Sequence, residues 1–237
     1  MDDFKQALSL VKFEFKQSIV HFLFFILLLF GTQVIMQSII PDYLENSSMG
    51  LDFLFLIAFT VLSQMTKPSS FQMQDRGNGL WASPFIVNLN HLPIKQETIV
   101  TYRFTVYFIL HGLFTCILLW ELYPAFSEHL TISTYIVFAI IWFCFGLYVG
   151  PINLIFEPGT NLFILIISFV FIILPIIFFL DLFVFYVWYK DGLVNWTIKI
   201  ASSHPIISTS LSLLLAVVGW KFWKKKMLQR MQKIDYL

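Results

Sequence analysis

Long apolar runs alternate with short polar segments along the chain, and one polar segment is much longer than the others. A membrane-spanning helix needs about 20 mostly apolar residues. Six segments meet or approach this length, and they predict spans over residues 19–39, 51–67, 95–120, 132–150, 161–181 and 205–223. Because the runs are continuous and do not alternate, they exclude the strands of a membrane β-barrel. The expected fold class is an all-α membrane protein with one transmembrane domain, residues 1–237.

The longest polar interruption separates the second and third predicted spans and extends from Lys67 to Arg103. It is too long for a simple turn between two membrane helices. Within it, the mostly apolar stretch from Leu80 to Leu89 predicts a short helix, carried by a loop over residues 68–94. We expect such a loop to contact a partner in water.

The residues before the first span are predicted to form an amphipathic helix over residues 1–18. Phe4, Leu8, Val11 and Phe15 recur at helical spacing and make one apolar stripe, while lysines occupy other faces. This pattern is typical of a helix lying on the inner leaflet of a membrane. The alternative is a cytoplasmic extension of the first span.

Residues 182–204 form a second unusual segment, between the fifth and sixth predicted spans. Two short apolar pieces rich in Trp and Tyr flank the turn Lys190-Asp191-Gly192. Aromatic residues of this kind favour the headgroup level of a bilayer. We therefore predict an outer hairpin that dips into the leaflet without crossing it, with a pair of shallow interfacial turns as the alternative.

Composition and charge agree with a membrane protein and give it an orientation. The chain is 58% hydrophobic and only 12% charged, and its mean hydropathy is +0.80. With six spans, only Lys190 and Lys199 among the Lys and Arg residues fall on the side opposite the termini. By the positive-inside rule, both termini, including a tail over residues 224–237, are expected in the cytoplasm of a multi-pass cell-membrane protein. The first apolar run begins at Ile19 and lacks a small-residue cleavage site, so we expect a span there and not a cleaved signal.

The sequence contains none of the familiar catalytic motifs. It lacks a GxxxxGK[ST] nucleotide-binding loop, HExxH, CxxC and GxSxG. Cys116 and Cys144 fall in apolar runs and are interpreted as small hydrophobic residues. His21 and His111 lie in or near spans, but no pair of histidines has metal-ligand spacing on one helix face. We expect no catalytic residues, no metal site and no nucleic-acid partner.

Charged residues are absent from the middle of every predicted span, which argues against a secondary carrier. An intramembrane enzyme would need clustered polar side chains at one depth, and no such cluster is evident. Gly146 and Gly150 form a GxxxG pattern in the fourth span. This pattern predicts close packing within the bundle, with a dimer motif as the alternative.

The order of motifs in the polar loop resembles the permease subunits of ABC-2 type ABC exporters. Those permeases typically show an element of the form acidic residue–Arg–x–Gly, then a short helix, then Leu-Pro-Ile/Val running into Glu-Ile-Val at the start of the third span. The matching residues are Asp75, Arg76, Gly79, Leu92, Pro93, Ile94, Ile99 and Val100. Asp75 stands where Glu is commoner, and Glu97 is offset from its usual position. Each motif is short, but their order and the whole-chain topology both agree with this family.

The resemblance implies a transport subunit without catalytic activity of its own. Two permease copies, identical or related, would form the pathway between their second and fifth spans. Two separate ATPase subunits would bind ATP and Mg²⁺, and this chain would bind no cofactor. The short helix after Arg76 would be the coupling helix, with Trp81 and Phe85 as apolar anchors in a cleft of the ATPase. The residues implied in ATPase coupling are Asp75, Arg76, Gly79, Leu80, Trp81, Phe85, Leu92 and Pro93. The helix carrying Phe4, Leu8, Val11 and Phe15 would be a second contact.

The walls of the predicted pathway carry no fixed charge, which favours a hydrophobic or amphipathic cargo. Within the family, the chain is most similar to small bacterial exporters of amphipathic or antimicrobial peptides, such as the permeases that export phenol-soluble modulins. The alternatives from other classes are a secondary carrier and an intramembrane enzyme, neither with an ATPase partner.

Overall fold

The computed structural model describes residues 3–65, 67–77, 79–161 and 174–234, and most of these residues are helical. Among the described residues, four helical segments are long and apolar enough to cross a membrane: Ile19–Glu45, Gln96–Phe126, Ile132–Phe156 and Pro205–Met231. The chain is therefore an all-α membrane protein in its main architecture, as the hydrophobic pattern predicts.

The helices and strands follow one another in a simple order. The α-helices are α1 Asp3–Gln17, α2 Ile19–Glu45, α3 Met49–Thr60, α4 Pro84–Asn90, α5 Gln96–Phe126, α6 Ile132–Val149, α7 Leu174–Leu180, α8 Leu193–Ser203 and α9 Pro205–Met231. The longer 3₁₀ segment, Gly150–Phe156, continues α6, and a π-helix, Asp181–Tyr189, continues α7. A small antiparallel sheet consists of β1 Gln74–Asp75, β2 Leu80–Ala82 and β3 Thr160–Asn161.

The first, third, fourth and sixth predicted spans correspond to the four long helical segments. The second is shorter than predicted, because α3 ends at Thr60 and a 3₁₀ turn, Leu62–Gln64, follows. The predicted fifth span, residues 161–181, lies largely outside the described residues, and α7 is its described end. Six crossings therefore remain a prediction.

Where the outer hairpin is predicted, the structure has two helical segments joined by a turn. The π-helix ends at Tyr189, Lys190 adopts a left-handed conformation with φ of 57°, and α8 starts at Leu193. A left-handed residue is a common way to stop a helix and reverse the chain. The position of this hairpin on the outer side of the membrane and its depth in a bilayer remain predictions.

The predicted helix from Leu80 to Leu89 is wrong in its first half. Leu80–Ala82 is the central strand of the small sheet, in which Trp81 lies opposite Asp75 on one side and Thr160 on the other. Gly77 and Gly79 both have positive φ, which permits the tight turn between β1 and β2. The helix begins only at Pro84, because proline is favoured at the first helical position and Ser83 before it is extended.

The predicted stripe on α1 also differs from its buried face. Ala7, Val11 and Glu14 are the buried residues of this helix, whereas Phe4 is 56% exposed. This rotation arises because α1 packs along α5. The buried face of α1 therefore packs against another helix of the chain, and it includes the carboxylate of Glu14.

Close helix packing explains the two glycines of the GxxxG pattern. A Cβ on Gly146 would lie 2.1 Å from the His111 ring and 2.2 Å from the carbonyl oxygen of Phe59. A Cβ on Gly150 would lie 2.0 Å from the Tyr107 hydroxyl. Packing of α6 against α3 and α5 is thus confirmed for this pattern, and the same chain occupies the face that a dimer motif would need.

Candidate functional site: a buried ionic cluster beneath the polar loop

Arg103 is the centre of a buried ionic cluster at the start of α5. Its side chain is only 1% exposed. Nε donates to Oε2 of Glu157 at 2.6 Å and Nη2 donates to Oε1 of the same carboxylate at 2.8 Å. Nη1 donates to Oε2 of Glu14 at 2.8 Å. Arg103 therefore forms a two-pronged contact with one carboxylate and a further contact with a second, a geometry that suits a guanidinium and not an ammonium group.

Lys67 and Tyr102 complete this cluster. The Lys67 ammonium donates to Glu157 at 2.7 Å, and the Tyr102 hydroxyl donates to Glu14. Two cations thus face two carboxylates, and the charges cancel within the protein interior. Burial alone would raise the pKa of Glu157, but the nearby Arg103 and Lys67 outweigh burial and lower this pKa below its ordinary value.

The ionic cluster joins four segments that are far apart in sequence. Glu14 belongs to α1, Lys67 opens the polar loop, Arg103 lies in α5, and Glu157 follows the 3₁₀ segment after α6. The backbone N–H of Ser83, just before α4, also donates to the carbonyl oxygen of Glu157 at 2.8 Å. Removing one partner would leave a buried charge uncompensated, so the segments are expected to move as one unit.

Phe85 is packed within the chain. Its ring centroid lies 4.7 Å from that of Phe71, 5.7 Å from that of Phe13 in α1 and 5.9 Å from that of Tyr102. Aromatic pairs at these separations are stabilising. Phe85 thus fixes α4 to α1 and to the residue beside Arg103.

The other residues implied in coupling lie on the sheet or at its outer surface. Leu80 and Trp81 are half-buried in β2, whereas Asp75, Arg76 and Gly79 are exposed at the β1–β2 turn. The carboxylate of Asp75 accepts a hydrogen bond from the backbone N–H of Gly77 at 2.9 Å and so stabilises the turn.

Leu92 and Pro93, after α4, are exposed as well, and Leu92 is 53% exposed. The structure therefore brings Asp75, Arg76 and Gly79 together at one turn. It places Leu92 and Pro93 beyond the other end of α4 and directs Phe85 inward.

A second buried polar cluster lies at the opposite end of α3, around Asp52. This carboxylate is fully buried and accepts four hydrogen bonds. Oδ1 accepts from the Tyr43 hydroxyl at 2.6 Å and from the backbone N–H of Val194 at 2.9 Å. Oδ2 accepts from the Tyr186 hydroxyl at 2.8 Å and from the backbone N–H of Leu193 at 3.0 Å. Asp52 thus caps the N-terminus of α8 from another helix, where a negative charge is favoured.

Asp191 stabilises the turn of the outer hairpin. Its carboxylate accepts hydrogen bonds from Lys199 at 2.6 Å, from Asn195 at 2.9 Å and from Ser47. Partial burial would raise the pKa of Asp191, but these donors and the backbone N–H of Gly192 outweigh it and lower the pKa to about 2. The turn is therefore attached to the α2–α3 connection in the pH range where Asp191 is ionised.

His111 is a packed side chain in the bundle core. Its Nε2 lies 3.1 Å from the carbonyl oxygen of Phe143, and its ring stacks on that of Tyr107 at 5.4 Å. Within the described ranges, no group of three or more His, Cys, Asp or Glu side chains could hold a metal ion. The free thiol of Cys144 is buried in the same core, and that of Cys116 is exposed.

Sequence reasoning identifies the polar loop but not the ionic cluster beneath it. Lys67 and Arg103 contribute to the prediction only as positive charges that orient the loop, and Glu157 is not singled out. One usable indication is that Glu14 interrupts the apolar side of an amphipathic helix only three residues after Val11. A carboxylate on such a face requires a buried partner.

Comparison of the chain with protein-family models, with curated proteins and with solved structures gives no match.

Proposed function

We propose that this chain is the membrane-spanning subunit of an ATP-driven exporter, powered by a separate ATPase. The observation that carries the proposal is the ionic cluster, because it attaches the polar loop directly to α1, α5 and the end of α6. A loop that only connected two spans would have no need of this junction. A loop that receives force from a partner needs a stiff connection to the helices that it moves.

In this proposal the surface that contacts the ATPase consists of the exposed residues of the loop. Asp75 and Arg76 form a charged patch of this surface, and Leu92 and Pro93 form an apolar patch. Phe85 has a different role from that of an anchor in the partner, since its ring already packs against three aromatic rings of the same chain. It transmits force from α4 to α1 and α5.

The assembly would contain two copies of this chain, or one copy and a related permease, with two ATPase subunits that bind ATP and Mg²⁺. The cargo would be hydrophobic or amphipathic, with amphipathic peptides as the leading class. Supporting this, the four long helices expose mainly Leu, Ile, Val and Phe, and the described charged clusters lie at the helix ends.

The test is purification of the tagged full chain from its native membranes together with any bound ATPase. The double variant Arg76→Glu/Leu92→Ser changes both the charged and the apolar patch of the exposed surface. Because interface anchors each contribute more than about 1 kcal/mol, we expect the retained ATPase activity to fall at least about tenfold. The matched control is Lys190→Glu/Trp188→Ser on the outer hairpin, which makes comparable changes at exposed residues and should retain the ATPase.

Two results would contradict the proposal: no ATPase accompanies the wild-type chain, or the loop variant and the hairpin control lose it equally. The cargo is tested separately, in cells lacking the chain. Such cells should become more sensitive to externally added amphipathic peptides, and wild-type chain should restore resistance. Unchanged sensitivity would exclude amphipathic peptides as the cargo while leaving the ATPase test unaffected.

A further inference from the structure

A basic cleft lies beside the end of α9 and is separate from the ionic cluster. It has a volume of about 490 Å³ and runs between the last turns of α9 and the edge of the small sheet. Its polar lining consists of Thr160, Asn161, Lys226, Gln229, Arg230 and Lys233. Among the described residues no carboxylate lines it, and the segment from Pro205 to Ile234 contains no Asp or Glu at all.

Two of the positive charges of this cleft have no acidic partner among the described residues. Lys226 and Lys233 are exposed and form no ion pair with a carboxylate in the described part of the chain. Arg230 is held in place, since its Nε donates to the carbonyl oxygen of Gly159 at 2.8 Å and its guanidinium lies 5.1 Å from the centre of the Phe156 ring. The fixed guanidinium of Arg230 and the ammonium groups of Lys226 and Lys233 together attract an anion.

The cleft is at the depth of the lipid headgroups if α9 crosses the bilayer. The hydrocarbon core is about 30 Å thick and a helix rises about 1.5 Å per residue, so about 20 residues from Pro205 cross it. That distance ends near Lys224, just after Trp220 and Trp223, whose side chains favour the interface. Lys226 and Arg230 follow within the next two turns.

We propose that this cleft binds the phosphate headgroup of an anionic phospholipid of the inner leaflet. Leu80 and Ile155 provide an apolar wall next to the basic residues, which suits a lipid and not an isolated inorganic anion. The volume lies in the range of roughly 300–1,000 Å³ that holds an organic ligand, and inorganic phosphate would fill little of it. This inference needs α9 to cross the membrane with its basic end inside, and it does not require an ATPase.

The test uses the full chain purified in detergent and titrated with dioleoyl-phosphatidylglycerol, with binding followed by native mass spectrometry. Dioleoyl-phosphatidylcholine serves as the zwitterionic comparison. Lys226→Gln/Lys233→Gln should weaken phosphatidylglycerol binding more than about tenfold, because each Lys or Arg near a membrane surface contributes appreciably to the affinity for anionic lipid. Lys221→Gln/Lys225→Gln removes the same charge from exposed residues of the same helix that do not line the cleft, and should change the affinity less than about threefold.

The conservative pair Lys226→Arg/Lys233→Arg keeps both positive charges and should keep the affinity for phosphatidylglycerol. It therefore distinguishes an effect of lost charge from an effect of misfolding. Equal losses for the two glutamine pairs would overturn the proposal, because they would indicate diffuse attraction to a basic surface. Equal affinity for the two lipids would also overturn it. Displacement of the lipid by inorganic phosphate at the same concentration would overturn it as well, because the cleft would then be a simple anion site.

Discussion

At the residue scale, the cost of a buried charge explains why Arg103 should not tolerate replacement. Arg103→Met keeps much of the side-chain volume but leaves Glu14 and Glu157 with fewer donors in a buried site. Breaking a buried ionic network in this way costs about 3–5 kcal/mol. We therefore expect the melting temperature of the purified chain to fall by roughly 6–20 °C, measured by intrinsic tryptophan fluorescence.

The matched control for Arg103 is Lys95→Met, which also removes a cation from an ion pair. Lys95 lies 2.8 Å from Asp3, but both side chains are at least half exposed. Water screens such a pair, so the melting temperature should change little. If the two variants melt at the same temperature, the ionic cluster is not a structural junction.

The two carboxylate oxygens of Asp52 accept hydrogen bonds from different partners, so an amide cannot replace both of them. In Asp52→Asn, one amide oxygen can still accept from Tyr43 and Val194, but the amide NH₂ would face the N–H of Leu193. An unpaired buried donor costs about 1–3 kcal/mol. Hydrogen–deuterium exchange of the first turn of α8 should therefore become faster.

The control for Asp52 is Asp42→Asn, since Asp42 is acidic, close in sequence and exposed. Exchange in α8 should be unchanged in this variant. A first turn of α8 that exchanges at the wild-type rate in Asp52→Asn would contradict the role of this carboxylate as a cap supplied by another helix.

The contacts within these two clusters could not be predicted from the sequence. Arg103 and Glu157 are 54 positions apart, and Arg103 and Glu14 are 89 apart. A charged residue near the end of an apolar run looks the same in sequence whether it faces headgroups or a buried partner. Only the packing of α1 along α5 decides between these two environments, and that packing depends on the whole chain.

At the element scale, close contact between helices determines which glycines can be replaced by alanine without loss of stability. Gly146→Ala would place a methyl group 2.1 Å from the His111 ring and 2.2 Å from a backbone oxygen that cannot move aside easily. Overpacking of this kind costs about 1–3 kcal/mol. The melting temperature of this variant, followed by tryptophan fluorescence, should therefore fall.

Gly112→Ala is the matched control, because Gly112 also lies inside a long helix but has open space where a Cβ would lie, with no described atom within 4 Å. Alanine is the better helix former by about 1 kcal/mol, so this variant should melt at the same temperature or higher. A loss of stability in Gly112→Ala equal to that in Gly146→Ala would show that helix flexibility, and not close packing, determines both.

The elements that sequence predicts well are those with a strong local pattern. Four long apolar helices and the two helical arms of the outer hairpin follow from hydrophobic runs and a single turn. The small sheet does not, because β2 has only three residues and pairs with the distant β3, where Thr160 lies opposite Trp81. Strands that short carry no usable periodicity.

At the scale of the whole molecule, one polar cluster lies at the start of α3 and another beyond its end. Asp52 joins its start to the outer hairpin, and the ionic cluster lies beyond its end, where Lys67 opens the loop. The core between them is aromatic, with Trp142 packed against Phe55 and Phe59 of α3 at 5.0 and 5.3 Å. A displacement of the loop would therefore reach α3 and the helices around it through connected side chains, and this is the mechanical requirement of the proposed exporter.

The membrane orientation of the chain can be tested by labelling single cysteines on its two sides. In a background with Cys116→Ser and Cys144→Ala, single cysteines are introduced at four exposed positions: Glu45, Arg76, Glu128 and Gln232. The positive-inside rule predicts that the loop and the C-terminal end lie in the cytoplasm. A membrane-impermeant maleimide should therefore label positions 45 and 128 in intact cells, and positions 76 and 232 only after permeabilisation.

The cysteine-free background is the control for labelling of other proteins and should remain unlabelled under both conditions. Each outcome identifies one helix. Equal access at positions 45 and 76 in intact cells would mean that α3, which is short for a span, does not cross the bilayer. Access at position 232 in intact cells, with position 76 still protected, would mean an odd number of crossings between the loop and the end of α9. That result would also contradict the basic cleft, because Leu80 of the loop lines it together with Arg230 and Lys233 of the C-terminal end.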